Sequence, residues 1–157
     1  MKKIAIFADV QNIYYTTRQA FRRQFNYRAL WQLVKERGDI VNAYAYAIES
    51  HDVKQINFQQ ILREIGFKVK LKPFIQREDG SAKGDWDVGI ALDVIEQAPL
   101  VDEIILLSGD GDFDILLQRA NEKFNAETLV ISVKKLTALS LIHAATQHIS
   151  IDDKLLM

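Results

Sequence analysis

The sequence predicts an α/β protein, a three-layer α/β/α sandwich built around a mostly parallel sheet. Short apolar runs alternate with helical patterns along the chain, as they do in βα units joined by crossovers. Helical stretches close at Gly38, at Gly66 and just before Pro99, so the units have marked boundaries. The run Glu103–Leu107 (EIILL) is apolar on both faces, as a central strand of a parallel sheet is.

In chain order, Lys3–Ala8 reads as the first strand and Ile13–Phe25 as a helix with Ile13, Thr17, Ala20 and Phe21 on one stripe. Tyr27–Arg37 is a second helix, with Gly38 placed for a left-handed cap. A strand at Ile40–Ala47 leads to a helix at Asp52–Ile65. Lys68–Ile75 alternates Val69 and Leu71 with Lys68, Lys70 and Lys72, so one face is wet and the strand lies near a sheet edge. Asp85–Gln97 is a helix, and the Glu103–Leu107 strand follows. Phe113–Phe124 is a helix, Thr128–Val133 a strand, Thr137–Thr146 a helix, and a short strand lies near His148–Ile151. Fold rules give strand order 3-2-1-4-5, which sets strands 1 and 4 side by side at the switch point. The chain reads as one domain, residues 1–157, with no linker or repeat. Gln76–Gly84 (QREDGSAKG) is the loop with strong turn chemistry, placed to form a mobile rim beside the switch point.

Composition is that of an ordinary globular protein, 48% apolar and 26% charged, with no apolar run long enough to span a membrane. The absence of cysteine excludes disulfides, thiolate metal sites and thiol nucleophiles; a cytoplasmic protein is the simplest reading. Net charge is −1, but it is unevenly spread: residues 1–78 carry +7 and residues 79–157 carry −8. A basic half for phosphate contacts and an acidic half for a cation would suit a nuclease; solvated helix faces are the plainer account.

Four aspartates carry the chemistry. Asp9 ends the first strand, Asp110 and Asp112 follow the fourth, and Asp87 stands at a helix start, in KGDWDVGIALD. Asp87 shares a helical face with Ile90, Ala91, Val94 and Ala98, so it points toward the sheet, whereas Asp85 and Asp93 lie off that stripe and face solvent. Carboxylates converging from three segments repel one another unless a hard divalent cation holds them, so the pattern reads as a Mg2+ or Mn2+ site. In SGDGDF, Gly109 and Gly111 permit a tight turn with positive φ, and Asp112 is in N-cap position for the helix at Phe113. Taken alone, GDGD reads equally well as a turn and a cap. Asn12 either supports a metal-bound phosphate or water, or caps the first helix. Ser108 is placed to hydrogen-bond Asp9 or Asp110.

DVQN at Asp9–Asn12, KGDWDVGIALD at Lys83–Asp93 and SGDGDF at Ser108–Phe113 resemble, in order, the motifs of the NYN family of PIN-like ribonucleases, and within it the LabA-like branch. The resemblance covers nearly the whole chain. It implies a PIN-like fold and metal-dependent cleavage of RNA phosphodiesters, with Asp9, Asp87, Asp110 and Asp112 as metal ligands and Asn12 as an associated polar residue. Membership does not guarantee turnover, so a catalytically silent RNA- or metal-binding regulatory module is the alternative.

Other residues are weighed beside these. Of Tyr14 and Tyr15, one is expected in the core and one free to stack on a base. Arg18, Arg22 and Arg23 form a basic stretch suited to RNA backbone, and Lys83 lies where it can meet phosphate. Trp86 reads as a packing residue, and His51, His143 and His148 lack ligand spacing. A receiver domain fails because strand 3 ends in PFIQ without an acceptor aspartate. A haloacid-dehalogenase phosphatase fails because Gln11 replaces the second acid of DxD. The C-terminal IDDKLLM carries apolar residues that look free to dock on a partner, such as a second copy in a homodimer.

Overall fold

The computed structural model describes residues 1–73, 75–76, 82–83 and 85–157, with the backbone alone at 75, 76, 82 and 83. Six parallel strands form the sheet: β1 (Lys3–Asp9), β2 (Asp39–Ile48), β3 (Lys68–Lys72), β4 (Glu103–Leu107), β5 (Glu127–Ser132) and β6 (Gln147–Ser150). Their order is 3-2-1-4-5-6, the expected order extended by one edge strand. A two-residue antiparallel ribbon, Ile75–Gln76 with Ala82–Lys83, stands apart from the sheet.

Alternation along β1 explains the layers. Ile4, Ile6 and Ala8 enter one core with Ile13, Leu30 and Leu62, beneath α1 (Val10–Phe21), α2 (Tyr27–Lys35) and α3 (Val53–Ile65). Ala5 and Phe7 enter the other with Ile90, Val94, Leu117 and Leu141, beneath α4 (Asp87–Gln97), α5 (Asp114–Phe124) and α6 (Leu139–Ala144). A strand clothed on both faces has to be apolar throughout, which is why β1 and β4 read as continuous apolar runs. Each fully buried Ile or Leu contributes on the order of 1.5–3 kcal/mol of transfer free energy.

Helix boundaries follow the caps. α1 begins at Val10 rather than Ile13, because Asp9 itself accepts the Asn12 N–H at 3.5 Å. It ends at Phe21, where Arg22 turns left-handed (φ 55°), not at Phe25. α4 starts at Asp87 rather than Asp85, β3 ends at Lys72 before Pro73, and α6 is a six-residue helix. Gly66 takes the left-handed region (φ 137°) that ends α3. Gly38 does not; a Cβ there would stand 2.4 Å from the Lys2 carbonyl, so close approach of β1 requires glycine.

The base of the sheet holds a buried ion pair. Glu103, 2% exposed, receives two hydrogen bonds from the Arg37 guanidinium, at 3.0 and 2.6 Å. This fork ties the turn after α2 to the start of β4, and its hydrogen bonds to Glu103 raise the pKa of Arg37. At the opposite terminus the expectation of a free apolar tail is wrong. Leu155 and Leu156 are buried, Phe25 pairs with Leu156, and Arg23 binds Asp153 at 2.6 Å and the Met157 carbonyl. The segment satisfies most of its apolar surface on its own chain; of its apolar residues, Ile151, Leu155 and Leu156 are buried and Met157 is exposed.

Candidate metal centre

Strand register places the acids. Ala8 of β1 pairs with Leu107 of β4, so the next residues, Asp9 and Ser108, leave the sheet side by side at its carboxyl edge. The Ser108 hydroxyl donates to Asp9 at 3.1 Å and accepts the Asp110 N–H at 3.2 Å, serving both partners open to it in the sequence. Asn12 does not cap α1. Its Oδ1 accepts the Gly109 N–H at 2.9 Å, tying the first turn of α1 to the loop after β4. That loop is held from the other side by α6, since the Ala138 N–H donates to the Gly109 carbonyl at 3.2 Å.

The glycines of this loop serve space rather than positive φ. A Cβ on Gly109 would stand 3.0 Å from the Leu136 carbonyl, and one on Gly111 2.8 Å from the Ala138 Cβ. Nor is Asp112 the cap. Asp110 accepts the Asp112 N–H at 2.9 Å, opening a short 3-10 turn at Gly111–Phe113 before α5 begins at Asp114. The capping bond goes to Asp110, which leaves the Asp112 carboxylate exposed and directed by the turn.

Asp87, Asp110 and Asp112 come together: each offers a carboxylate oxygen within 4.8 Å of the others. Asp9 is beside this trio rather than within it, facing Ser108, and its charge acts on Asp87. Burial raises Asp9 from an ordinary 3.8 to about 6 despite the bonds from Asn12 and Ser108. Asp87 is pushed to about 7, first by burial and then by the negative charge of the adjoining Asp110. Asp85, exposed, accepts the Asp87 N–H at 3.3 Å and adds negative charge that raises both. Among the described residues no salt bridge reaches any of the four acids. With a value of about 7, Asp87 is roughly half protonated at neutral pH, and a hard divalent ion can replace that proton. An all-carboxylate donor set fits Mg2+ or Mn2+, which complete their shells with water.

The surroundings differ from the expectations in several places. Asp93 does not face solvent: it takes the Tyr46 hydroxyl at 2.7 Å and the Lys70 ammonium at 2.6 Å, in a contact no helical stripe reveals. Trp86 packs as expected, its ring 5.3 Å from Tyr46 and its Nε1 donating to the Ala47 carbonyl at 2.8 Å. Neither Tyr14 (40% exposed) nor Tyr15 (62%) is core: the buried residues of α1 are Val10, Ile13 and Thr17. Arg18 lies over the Tyr14 ring at 5.8 Å, on the exposed side of α1. Arg23 is engaged by Asp153, so the basic stretch offers Arg18 and Arg22. The Lys83 side chain and most of the Gln76–Gly84 loop lie outside the described residues. His148 bonds Ser132 at 2.8 Å, and Ser132 bonds Thr137 at 2.6 Å, a structural role. Asp85 and Tyr27, whose phenol is shifted upward by burial and by Asp9, are site neighbours that spacing did not single out.

Among the described residues no helix is long and apolar enough to cross a membrane. The chain is 28% identical to the Low amplitude and bright protein LabA of Synechococcus elongatus, over 96% of this chain and 84% of that protein. A crystal structure of a protein of unknown function from Vibrio parahaemolyticus RIMD 2210633 superposes with a TM-score of 0.95 at 52% identity, covering 99% of this chain and 96% of that one. The NYN domain matches residues 3–152, and on that match the chain belongs to the NYN domain family.

Proposed function

We propose that this protein is a divalent-metal-dependent ribonuclease that hydrolyses RNA phosphodiester bonds at the carboxyl edge of its sheet. The carrying observation is the approach of Asp87, Asp110 and Asp112 to within 4.8 Å from two separate segments. The NYN domain match supports the same reading. In this proposal Asp9, Asp87, Asp110 and Asp112 hold Mg2+ or Mn2+. A bound ion of this kind polarises the phosphoryl oxygen and lowers the pKa of a water.

The chain's own groups have separable tasks. Ser108 and Asn12 fix the strand ends and the Gly109 loop, so that the carboxylates keep their spacing. Arg18, with Lys83, is assigned to RNA phosphates, and the exposed Tyr14 and Tyr15 to bases. The expected action is cytoplasmic and on RNA. The test is cleavage of mixed RNA in Mn2+ by wild type and by Asp110→Asn, and the variant should fall by at least about a hundredfold. Equal rates in both would remove the assignment. RNA binding without cleavage in any divalent metal would make the protein a silent RNA-binding module on the same fold.

A further inference from the structure

On the α1–α3 side of the sheet the fold leaves a cavity of about 1050 Å3. Val10 and Gln11, which follow Asp9 directly, form part of its wall, as do Ala47 and Ile48 at the end of β2. Tyr27 and Phe58 line it with ring centroids 5.8 Å apart, and Tyr14 and Tyr15 stand at its edge. Tyr27 is 6% exposed, and its hydroxyl is the buried side-chain polar atom left without a hydrogen-bond partner among the described residues. Asp9 acts electrostatically on both Asp87 and Tyr27, so one residue adjoins cluster and cavity.

We propose that this cavity seats an unstacked nucleobase of a single RNA strand whose phosphodiester lies at the acidic cluster; the inference rests on the ribonuclease reading for what brings the base. The lining selects that occupant. Aromatic rings offer stacking to any flat base. The amides of Gln55 and Asn57, with no side-chain partner among the described residues, present donors and acceptors to its edge. An aliphatic ligand would leave the Tyr27 hydroxyl orphaned, a cost a polar base edge relieves. Arg28 and Lys54 against Glu49 leave one net positive charge at the cavity, suited to a phosphate-bearing ligand. The volume is at the upper end for small-molecule sites and admits a base with its ribose. A base paired in a duplex cannot enter such a recess, so the site selects single strands.

Binding is read apart from cleavage. Fluorescence anisotropy measures Asp110→Asn protein in Mn2+ with a labelled single-stranded RNA 12-mer carrying one abasic nucleotide, moved along the strand. Loss of the seated base should weaken binding roughly tenfold or more at one position and little elsewhere. In the same background Ile61→Trp, which fills the cavity from a half-exposed wall position, and Tyr27→Phe should weaken the intact strand but not the strand abasic at that position. A flat abasic scan, or no binding at all, overturns the cavity proposal whatever the wild-type cleavage result. A position-specific scan with no wild-type cleavage keeps the cavity and removes the nuclease assignment instead.

Discussion

Replacing Asp9 by asparagine, which can still cap α1, should stabilise the metal-free protein at pH 8. The side chain is raised from 3.8 to about 6 by burial, with Asp110 and Asp85 adding to the shift. Because the folded value lies above the ordinary one, its contribution is present in full below about pH 4 and is lost as pH rises through 6. At pH 8 the ionised group therefore costs about 3 kcal/mol, at about 1.36 kcal/mol for each pH unit between the two values. The substituted amide keeps an oxygen for the Asn12 N–H but no longer accepts the Ser108 proton, a loss of about 1 kcal/mol. The net gain of about 2 kcal/mol corresponds to roughly 4–8 °C in Tm for a chain of this size. Thermal denaturation in EDTA at pH 8 and at pH 4 reads it: the variant melts higher at pH 8, and no higher than wild type at pH 4. Adding Mn2+ should raise wild type more than the variant. A variant equally destabilised at both pH values would show that Asp9 acts only through its hydrogen bond from Ser108, and the electrostatic account of the site would fail.

Three further outcomes follow from named contacts. Asn12→Ala orphans the Gly109 N–H, so urea denaturation should show a loss of about 1–3 kcal/mol, and calorimetry about tenfold weaker Mn2+ binding; unchanged Mn2+ affinity would separate the loop from the site. Mn2+ displaces the proton that burial and Asp110 hold on Asp87 up to about pH 7, so its affinity should rise roughly tenfold per pH unit between about 6 and 7, more steeply below 6 where Asp9 also holds one, and level off above 7. A flat profile would mean that Asp87 is no ligand. Arg37→Ala leaves Glu103 buried without its fork, and should lower unfolding free energy by about 3 kcal/mol or more; a loss under about 1 would show Lys2, 3.8 Å away, replacing the guanidinium.

The strand order was legible once fold rules were applied to the βα alternation, and local pattern singled out Asp87, Asp110 and Asp112, which the structure brings together. Runs that are apolar on both faces demand helices above and below them. Asp87 declared itself by sharing a helical face with Ile90 and Val94, both fully buried. Cap positions were read less well, since Asp9, Asp110 and Asp112 each had the chemistry to cap, and only backbone direction assigns the bond.

What the chain determined by itself is which residues alternate, where strands and helices fall, and which carboxylates stand at strand ends and helix starts. The tertiary structure alone decided where long-range partners meet. Asn12 reaches Gly109 across 97 positions, Tyr46 reaches Asp93 across 47, and Asp9 is set against Ser108 instead of joining the trio. It also decided that Leu155 and Leu156 close on Phe25, and that a cavity opens beside Asp9. Local periodicity records which face of an element is buried, because burial recurs along the same segment. It holds no record of which distant side chain arrives at that face, since that depends on how helices cross the sheet and on the space left between them.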